Sequence, residues 1–535
     1  MESSKTLFFA LISLLFSFIS CCIVSAQTQE ALIECLSRKF SLSETLRIVY
    51  LPNTTSYNNL LQSSIQNLRY SSSSTPKPLM IIAPKRETQV QAVVVCCKEQ
   101  GLQLRVRSGG HDYEGLSYRS RSPFVVLDLS HFRSIDVDVD DKLAWVDSGA
   151  TLGELYYNIA KTSGNLGFPA GLCPTVGVGG HISGGGIGTL MRKYGLAADN
   201  VIDARLVDAK GRILDRGTMG EDLFWALRGG GGGSFGVILS WKIKLVEVPP
   251  VVTVSAVHRT LQQNATNLVS RWQSIADKLH EDLFMRVLLQ KVDGTIQVSF
   301  NSLFLGEANQ LLPMIEKSLP ELGLEAKDCK QMTWIQSVLE FAGYSSADPT
   351  DVLLKKDPPY GKSPFKGKSD FVMEPIPEKA LEGFWKLFLE DNTVLFKIII
   401  LDPLGGKMNK ISNSATPFPH RKGNLYNIQY MVKWGDDGKD DQQHLDFIER
   451  LYNYMTPYVS KSPRRAYINY RDLDLGSNGE GNYTSYFAAR TWGLKYFKSN
   501  FKRLGQVKAA IDKDNFFRSE QSIPPMHASK KKRGG

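Results

Sequence analysis

Two imidazoles and one thiol stand inside glycine-rich stretches of this chain, and that setting bounds the chemistry open to them. His111 follows Arg107-Ser108-Gly109-Gly110 and leads into Asp112-Tyr113-Glu114-Gly115. Cys173 opens Cys173-Pro174-Thr175-Val176-Gly177-Val178-Gly179-Gly180-His181, which runs on through Ile182 into Ser183-Gly184-Gly185-Gly186-Ile187-Gly188. Glycine permits positive φ and lets backbone N–H groups approach an anion closely, so such clusters suit a diphosphate. Neither block is a Rossmann fingerprint, because the sixth position of Gly177-Val178-Gly179-Gly180-His181-Ile182 is isoleucine. No Gly-Lys-Ser/Thr phosphate loop occurs at the required spacing. Gly231, Gly233 and Gly236 fit Gly-x-Gly-x-x-Gly, but the glycine run from Gly229 to Gly233 makes that match cheap. Taken singly, a histidine beside glycines is a turn residue and a lone cysteine a small buried hydrophobe.

RSGGHDYEG (Arg107 to Gly115) and GLCPTVGVGGHISGGG (Gly171 to Gly186) are joined by RKYGLAADNVIDA (Arg192 to Ala204), GEDLFWALRGGGGGSFG (Gly220 to Gly236) and NYRDLDLG (Asn469 to Gly476). Together these blocks resemble the plant berberine-bridge-enzyme-like flavoproteins over nearly the whole chain. The resemblance implies a two-lobed α+β fold of the vanillyl-alcohol-oxidase or PCMH-type FAD-binding class, with an antiparallel-sheet substrate domain. It implies one FAD held by two covalent bonds, through His111 and Cys173. His181, Arg107, Ser108, Gly109, Gly110, Gly177, Gly179, Gly180, Gly186, Val176 and Asn469 would surround it. No metal site is read.

The same resemblance assigns the catalytic side chains. Alternation along Leu425 to Trp434 puts Asn427, Gln429 and Met431 on one face. Alkaloid-cyclising relatives carry a glutamate base where this chain has Gln429; an amide cannot serve, which disfavours that ring closure. Tyr470 matches the tyrosine base of related oxidases. A phenol with a pKa of ~10 is a poor base near neutrality unless a cation favours phenolate, and Arg286 matches the position that supplies one. Tyr113 would line the pocket. Ile187 departs from relatives that carry an aromatic residue there, making the pocket more apolar. Relatives with valine three residues after the cysteine tend to react with oxygen, and Val176 stands there.

The implied function is a monomeric FAD oxidase. It would take hydride from an allylic or benzylic alcohol, a carbohydrate or a prenylated phenol, with O2 returning H2O2. The alternatives are a relative that performs oxidative cyclisation or a non-redox cycloaddition, and a basic wall-binding or defence glycoprotein with little turnover.

Composition sets the context. The chain has 535 residues, 42% hydrophobic and 10% aromatic, with net charge +10, enough for two or three lobes. Its charges are dispersed, apart from Lys530-Lys531-Lys532-Arg533, so nucleic acid is not the expected partner. An acidic wall polysaccharide is. Lys5, the apolar run Leu7 to Ile19 and Val24-Ser25-Ala26 read as a secretion signal cleaved near Ala26, leaving no membrane span. The expected destination is apoplast or cell wall, with vacuole or an ER-derived vesicle also open. Cleavage leaves Cys35, Cys96, Cys97, Cys173 and Cys329. The family pattern pairs Cys35 with Cys96, although adjacent Cys97 leaves the partner open. Sequons stand at Asn53, Asn264 and Asn482.

The elements that must position these groups follow from periodicity. Short strands (Pro78 to Pro84, Leu102 to Val106, Phe124 to Leu129) alternate with helices (Glu87 to Gly101, and Leu152 to Ala160 capped by Thr151) up to Val248-Pro249-Pro250. Longer strands follow: Ser255 to Leu261, Leu283 to Val292, Thr295 to Phe304, Phe396 to Leu401 and Leu425 to Trp434, with helices from Asn264 to Leu279 and Gln443 to Met455. They predict one antiparallel sheet with helices on one face. Ser345 to Ser369 reads as a mobile or surface loop. The expected division is signal 1–26, an FAD lobe 27–250, a substrate domain 251–466, and a segment 467–535 that returns to the FAD lobe.

Overall fold

The computed structural model describes residues 26–391, 394, 396–435, 441–479 and 484–527. The signal segment up to Ser25, the sequon residue Asn482 and the basic run Lys530 to Arg533 lie outside the described residues.

The N-terminal half is built on two sheets. The first has the order Val49–Tyr50, Met80–Ile82, Phe124–Asp128, Gln103–Arg107, with Phe124–Asp128 parallel to both of its neighbours. Met80–Ile82 and Phe124–Asp128 are wholly buried, as their unbroken apolar runs require. Helix Glu87–Glu99 packs on this sheet, and its Cys96 is disulfide-bonded to Cys35 on the helix over 26–39. Cys97, the other candidate partner, is a free and buried thiol. The second sheet, antiparallel, runs Ile135–Asp138, Leu143–Asp147, Val237–Lys244, Val201–Val207, Ile213–Leu214. Thr151 caps helix Leu152–Thr162 through a full capping box with Glu154.

From Val252 the chain forms one seven-stranded antiparallel sheet. Its order is Cys329–Met332, Val252–Thr260, Thr295–Phe304, Leu283–Val292, Phe396–Pro403, Tyr426–Lys433, Phe365–Val372. Helices Ala265–Ile275, Glu378–Glu390 and Gln442–Tyr454 lie side by side against it. The predicted loop Ser345 to Ser369 is only partly a loop. Thr350–Leu354 is a 3-10 turn, and Phe365–Val372 is the edge strand beside Tyr426–Lys433. Its lysines hid that strand from a reading based on alternation, because they are buried and paired.

Arg192 joins the two halves. Fully buried, it donates to the carbonyls of Leu283 at 2.8 Å and Ala276 at 2.9 Å, and also to those of Leu279 and Leu404. Beyond Tyr467 the chain packs on the N-terminal half. Arg471 pairs with Asp112 at 2.8 Å, Glu520 with Arg105 at 2.7 Å, and Lys508 Nζ donates to the Ser234 carbonyl at 2.6 Å.

Candidate active site

The two glycine blocks meet backbone to backbone. A Cβ on Gly109 would stand 2.4 Å from the Gly177 nitrogen, and one on Gly177 would stand 2.0 Å from Ser108 Oγ. Gly110, at φ +72°, lies so close to Ser64 that a Cβ would meet its carbonyl oxygen at 2.1 Å. Gly179 backs onto Ser148, whereas Gly180 is exposed with nothing within 4 Å of a built Cβ, so the joined blocks present an open rim. Ser148 Oγ and Arg107 Nη1 are buried beside them without a partner among the described residues. Arg107, expected at the cofactor, is otherwise held in the core by Asp128 and the Leu60 carbonyl.

His111 Nε2 lies 3.0 Å from Thr175 Oγ1. Burial, reinforced by Lys362, pulls its pKa down to about 4, so the ring is neutral at physiological pH with a lone pair available. Cys173 is accessible. Its walls nonetheless push the thiol up, while Lys433 and Arg286 work in the opposite sense, toward thiolate. His181 has a separate task. Burial takes it to about 4, and its Nε2 accepts the Gly171 N–H at 3.0 Å, so it braces the second block as a neutral ring.

Asn469 and Tyr467 clamp the triple glycine. Asn469 Nδ2 donates to the His181 carbonyl and to Tyr467 Oη, both at 2.9 Å. Tyr467 Oη also accepts the N–H of Gly186 at 2.9 Å and of Ile187 at 3.2 Å. The side chain of Ile187 is buried.

An aromatic wall comes from two loops, with strands of the seven-stranded sheet behind it. The Tyr113 and Tyr470 rings stack at 5.5 Å with 16° between planes, and Tyr467 meets Tyr470 edge-on at 5.0 Å. Gln429 Nε2 donates to Tyr113 Oη at 2.5 Å. Asn427 is turned to the Asp370 carbonyl at 2.8 Å. Arg286 is engaged by an acid that sequence reasoning missed: its Nε lies 2.9 Å from Asp402 Oδ1. The signal was available, since Asp402 is the acid that ends the apolar run Ile398 to Leu401.

That pairing weakens the cationic help expected for a Tyr470 phenolate. Burial pushes the Tyr470 hydroxyl well above the ordinary tyrosine range. Asp402, Tyr113 and Tyr467 push it further, and Arg286, its charge shared with Asp402, only opposes them. Tyr470 is therefore a phenol at neutral pH. Gly367 was also missed: it lies under Tyr113, where a Cβ would stand 2.6 Å from the ring. No sequence pattern distinguishes it from an ordinary strand glycine.

An open glycine floor with unpartnered polar atoms behind it, a neutral imidazole, an accessible thiol and an aromatic wall fit a flavin nucleotide. Comparison with known proteins agrees. A model of the FAD binding domain matches residues 78–217, and one described as berberine and berberine like matches residues 466–524. Tetrahydroberberine oxidase of Berberis wilsoniae is 52% identical, covering 98% of this chain and 99% of that protein. Monolignol oxidoreductase AtBBE-like 13 of Arabidopsis thaliana is 53% identical, covering 88% of each. The solved structure of the grass pollen allergen Phl p 4 superposes with a TM-score of 0.88 at 44% identity, over 93% of this chain and all of that one. That protein is a glucose dehydrogenase as wild type and a glucose oxidase as an isoleucine-to-valine variant. The fold is the PCMH-type FAD-binding fold, and the chain belongs to the berberine bridge enzyme-like family of FAD-dependent oxidoreductases.

Proposed function

We propose that this chain is an exported oxidase whose FAD is tethered through both His111 and Cys173, and which oxidises a small alcohol, carbohydrate or phenolic metabolite at the Tyr113–Tyr470 wall. The observation that carries the reading is that Tyr113 of the stacked pair stands near enough to Cys173 to feel its charge, while a neutral His111 meets Thr175 two residues beyond that accessible cysteine. Bound FAD would supply a two-electron acceptor whose reoxidation by O2 releases H2O2.

The chain's own residues bind, orient and move the proton. Tyr113 accepts from Gln429, leaving its own proton free for a substrate oxygen. Tyr470 receives the substrate hydroxyl proton when in its anionic form, with Arg286 offsetting the charge. Buried Ile187 gives the pocket an apolar side suited to an allylic, benzylic or prenylated substrate. Half-buried Val176 is the short residue through which oxygen would approach. The grass protein is a glucose oxidase when one isoleucine becomes valine, which supports the reading that a single short side chain admits oxygen in this family. The raised Tyr470 hydroxyl favours a second reading, in which hydride leaves before the proton, as in an oxidative cyclisation.

The disulfide and the exposed sequon asparagines Asn53 and Asn264 support passage through an oxidising compartment. The net charge of +10 supports loose association with an acidic wall polysaccharide. Mixing the mature protein anaerobically with monolignols and with glucose tests the proposal. A substrate should bleach the flavin absorbance, and air should restore it with one H2O2 per turnover. Slow recovery in air beside fast recovery with a quinone would make it a dehydrogenase.

A further inference from the structure

Behind the aromatic wall lies a group of buried charges that the redox step does not use. Alternation along Phe365–Val372 turns Gly367 toward Tyr113 and turns Lys366 and Lys368 to the other side of the strand. Lys366 is 3% exposed, and its ammonium holds Glu114 at 2.5 Å, Asp472 at 2.8 Å and Asp474 at 3.0 Å. Glu114 follows Tyr113 in the chain, and Asp472 stands two residues after Tyr470. Lys368 holds Asp472 at 3.0 Å and Asp474 at 2.7 Å on the Tyr470 loop, and Glu449 at 2.8 Å on helix Gln442–Tyr454, with no pairing to the Tyr113 loop among the described residues.

We propose that Lys366 is a positioning residue for the oxidation: its ammonium ties the loop carrying Tyr113 to the loop carrying Tyr470, and so sets the stacking of the two phenols. The neighbouring contacts have the same sense. Asp112 pairs with Arg471 at 2.8 Å, and the Leu473 N–H donates to Glu114 at 3.3 Å. The two loops are thus linked on both flanks of the ring pair. Burial opposes the Glu114 carboxylate, but Lys366, with Tyr70 and Arg69, outweighs it and holds the group below its usual range. A buried carboxylate stripped of its nearest cation is costly; Glu114 would be left with Arg119 at 3.8 Å and Arg69 at 4.0 Å while Asp472 kept Lys368, so losing Lys366 lets the two carboxylates part. The catalytic meaning of the tie rests on the Tyr470 role proposed above; the tie itself does not.

Hydrogen exchange on the full mature holoprotein separates the two. In K366M, amides of 111–116 and 470–476 should exchange at least tenfold faster than in the wild type. In K368M only 470–476 should loosen, and K366R should restore protection in both segments. If K366M does not fold, the doubly neutral K366Q/E114Q variant should show the same opening of both segments. Wild-type protection of 111–116 in K366M or in the double variant overturns the tie, as does equal opening of both segments in K368M. A fully active Y470F with the exchange pattern intact would refute the base and leave the tie standing.

Discussion

Replacing Gly367 by alanine tests whether ring geometry at the wall governs turnover. A Cβ there would lie 2.6 Å and 2.7 Å from Cε2 and Cδ2 of Tyr113. Ordinary contact begins near 3.4 Å, so the ring must retreat by about 0.8 Å. It cannot do so freely, because Tyr470 is stacked on it at 5.5 Å, Phe365 meets it edge-on at 5.2 Å, and Gln429 holds its hydroxyl. Overpacking of this kind costs about 1–3 kcal/mol of stability, which a protein of this size survives. Displacement of a substrate-orienting group by close to 1 Å lowers the chemical step by roughly 10²-fold. The assay is anaerobic stopped-flow reduction of the flavin by whichever alcohol the wild type accepts, beside a thermal melt. Gly164→Ala is the control, since nothing lies within 4 Å of its built Cβ. Reduction of Gly367→Ala at the wild-type rate, in a protein that has lost stability, would refute the argument that this wall positions substrate.

Tyr470→Phe should slow reduction by about 10²–10³-fold, as loss of a general base does, and Tyr113→Phe by about 10-fold in the same assay. Because burial and Asp402 hold the Tyr470 hydroxyl above its ordinary range, its basic form grows with pH. Reduction should therefore keep rising through pH 10, and Asp402→Asn should move the profile to lower pH; a plateau below pH 8 would exclude Tyr470 as the base. Replacing Cys35 and Cys96 by serine opens a link between positions 61 residues apart and should cost about 4 kcal/mol in a denaturant melt. An unchanged midpoint under oxidising conditions would count against the bond.

The long strands were legible because their patterns are unambiguous. Leu283 to Val292 and Thr295 to Phe304 fall where periodicity put them, and Thr151 and Glu154 announced the capping box. The close approach of the two glycine blocks was legible in their composition, since only glycine tolerates the contacts of Gly109 and Gly177. What stayed hidden depends on contacts between distant segments. The Asp402 side chain looked like a strand terminus until the sheet set it beside Arg286, where it offsets part of the charge expected to favour phenolate at Tyr470. The lysines of Phe365–Val372 read as loop because their carboxylate partners lie more than 80 residues away in Glu449, Asp472, Asp474 and Glu114. Tyr467, which no motif singled out, clamps the triple glycine through its hydroxyl while its ring meets Tyr470.

The central claim is that one cofactor is bonded to both His111 and Cys173. The direct measurement is acid precipitation of the purified protein, followed by flavin absorbance of pellet and supernatant. The account predicts a yellow pellet for the wild type and for each single replacement, His111→Ala and Cys173→Ala, and a colourless pellet for the double replacement. Colour that washes into the supernatant from the wild-type protein, or a pellet that stays yellow when both side chains are gone, would contradict it.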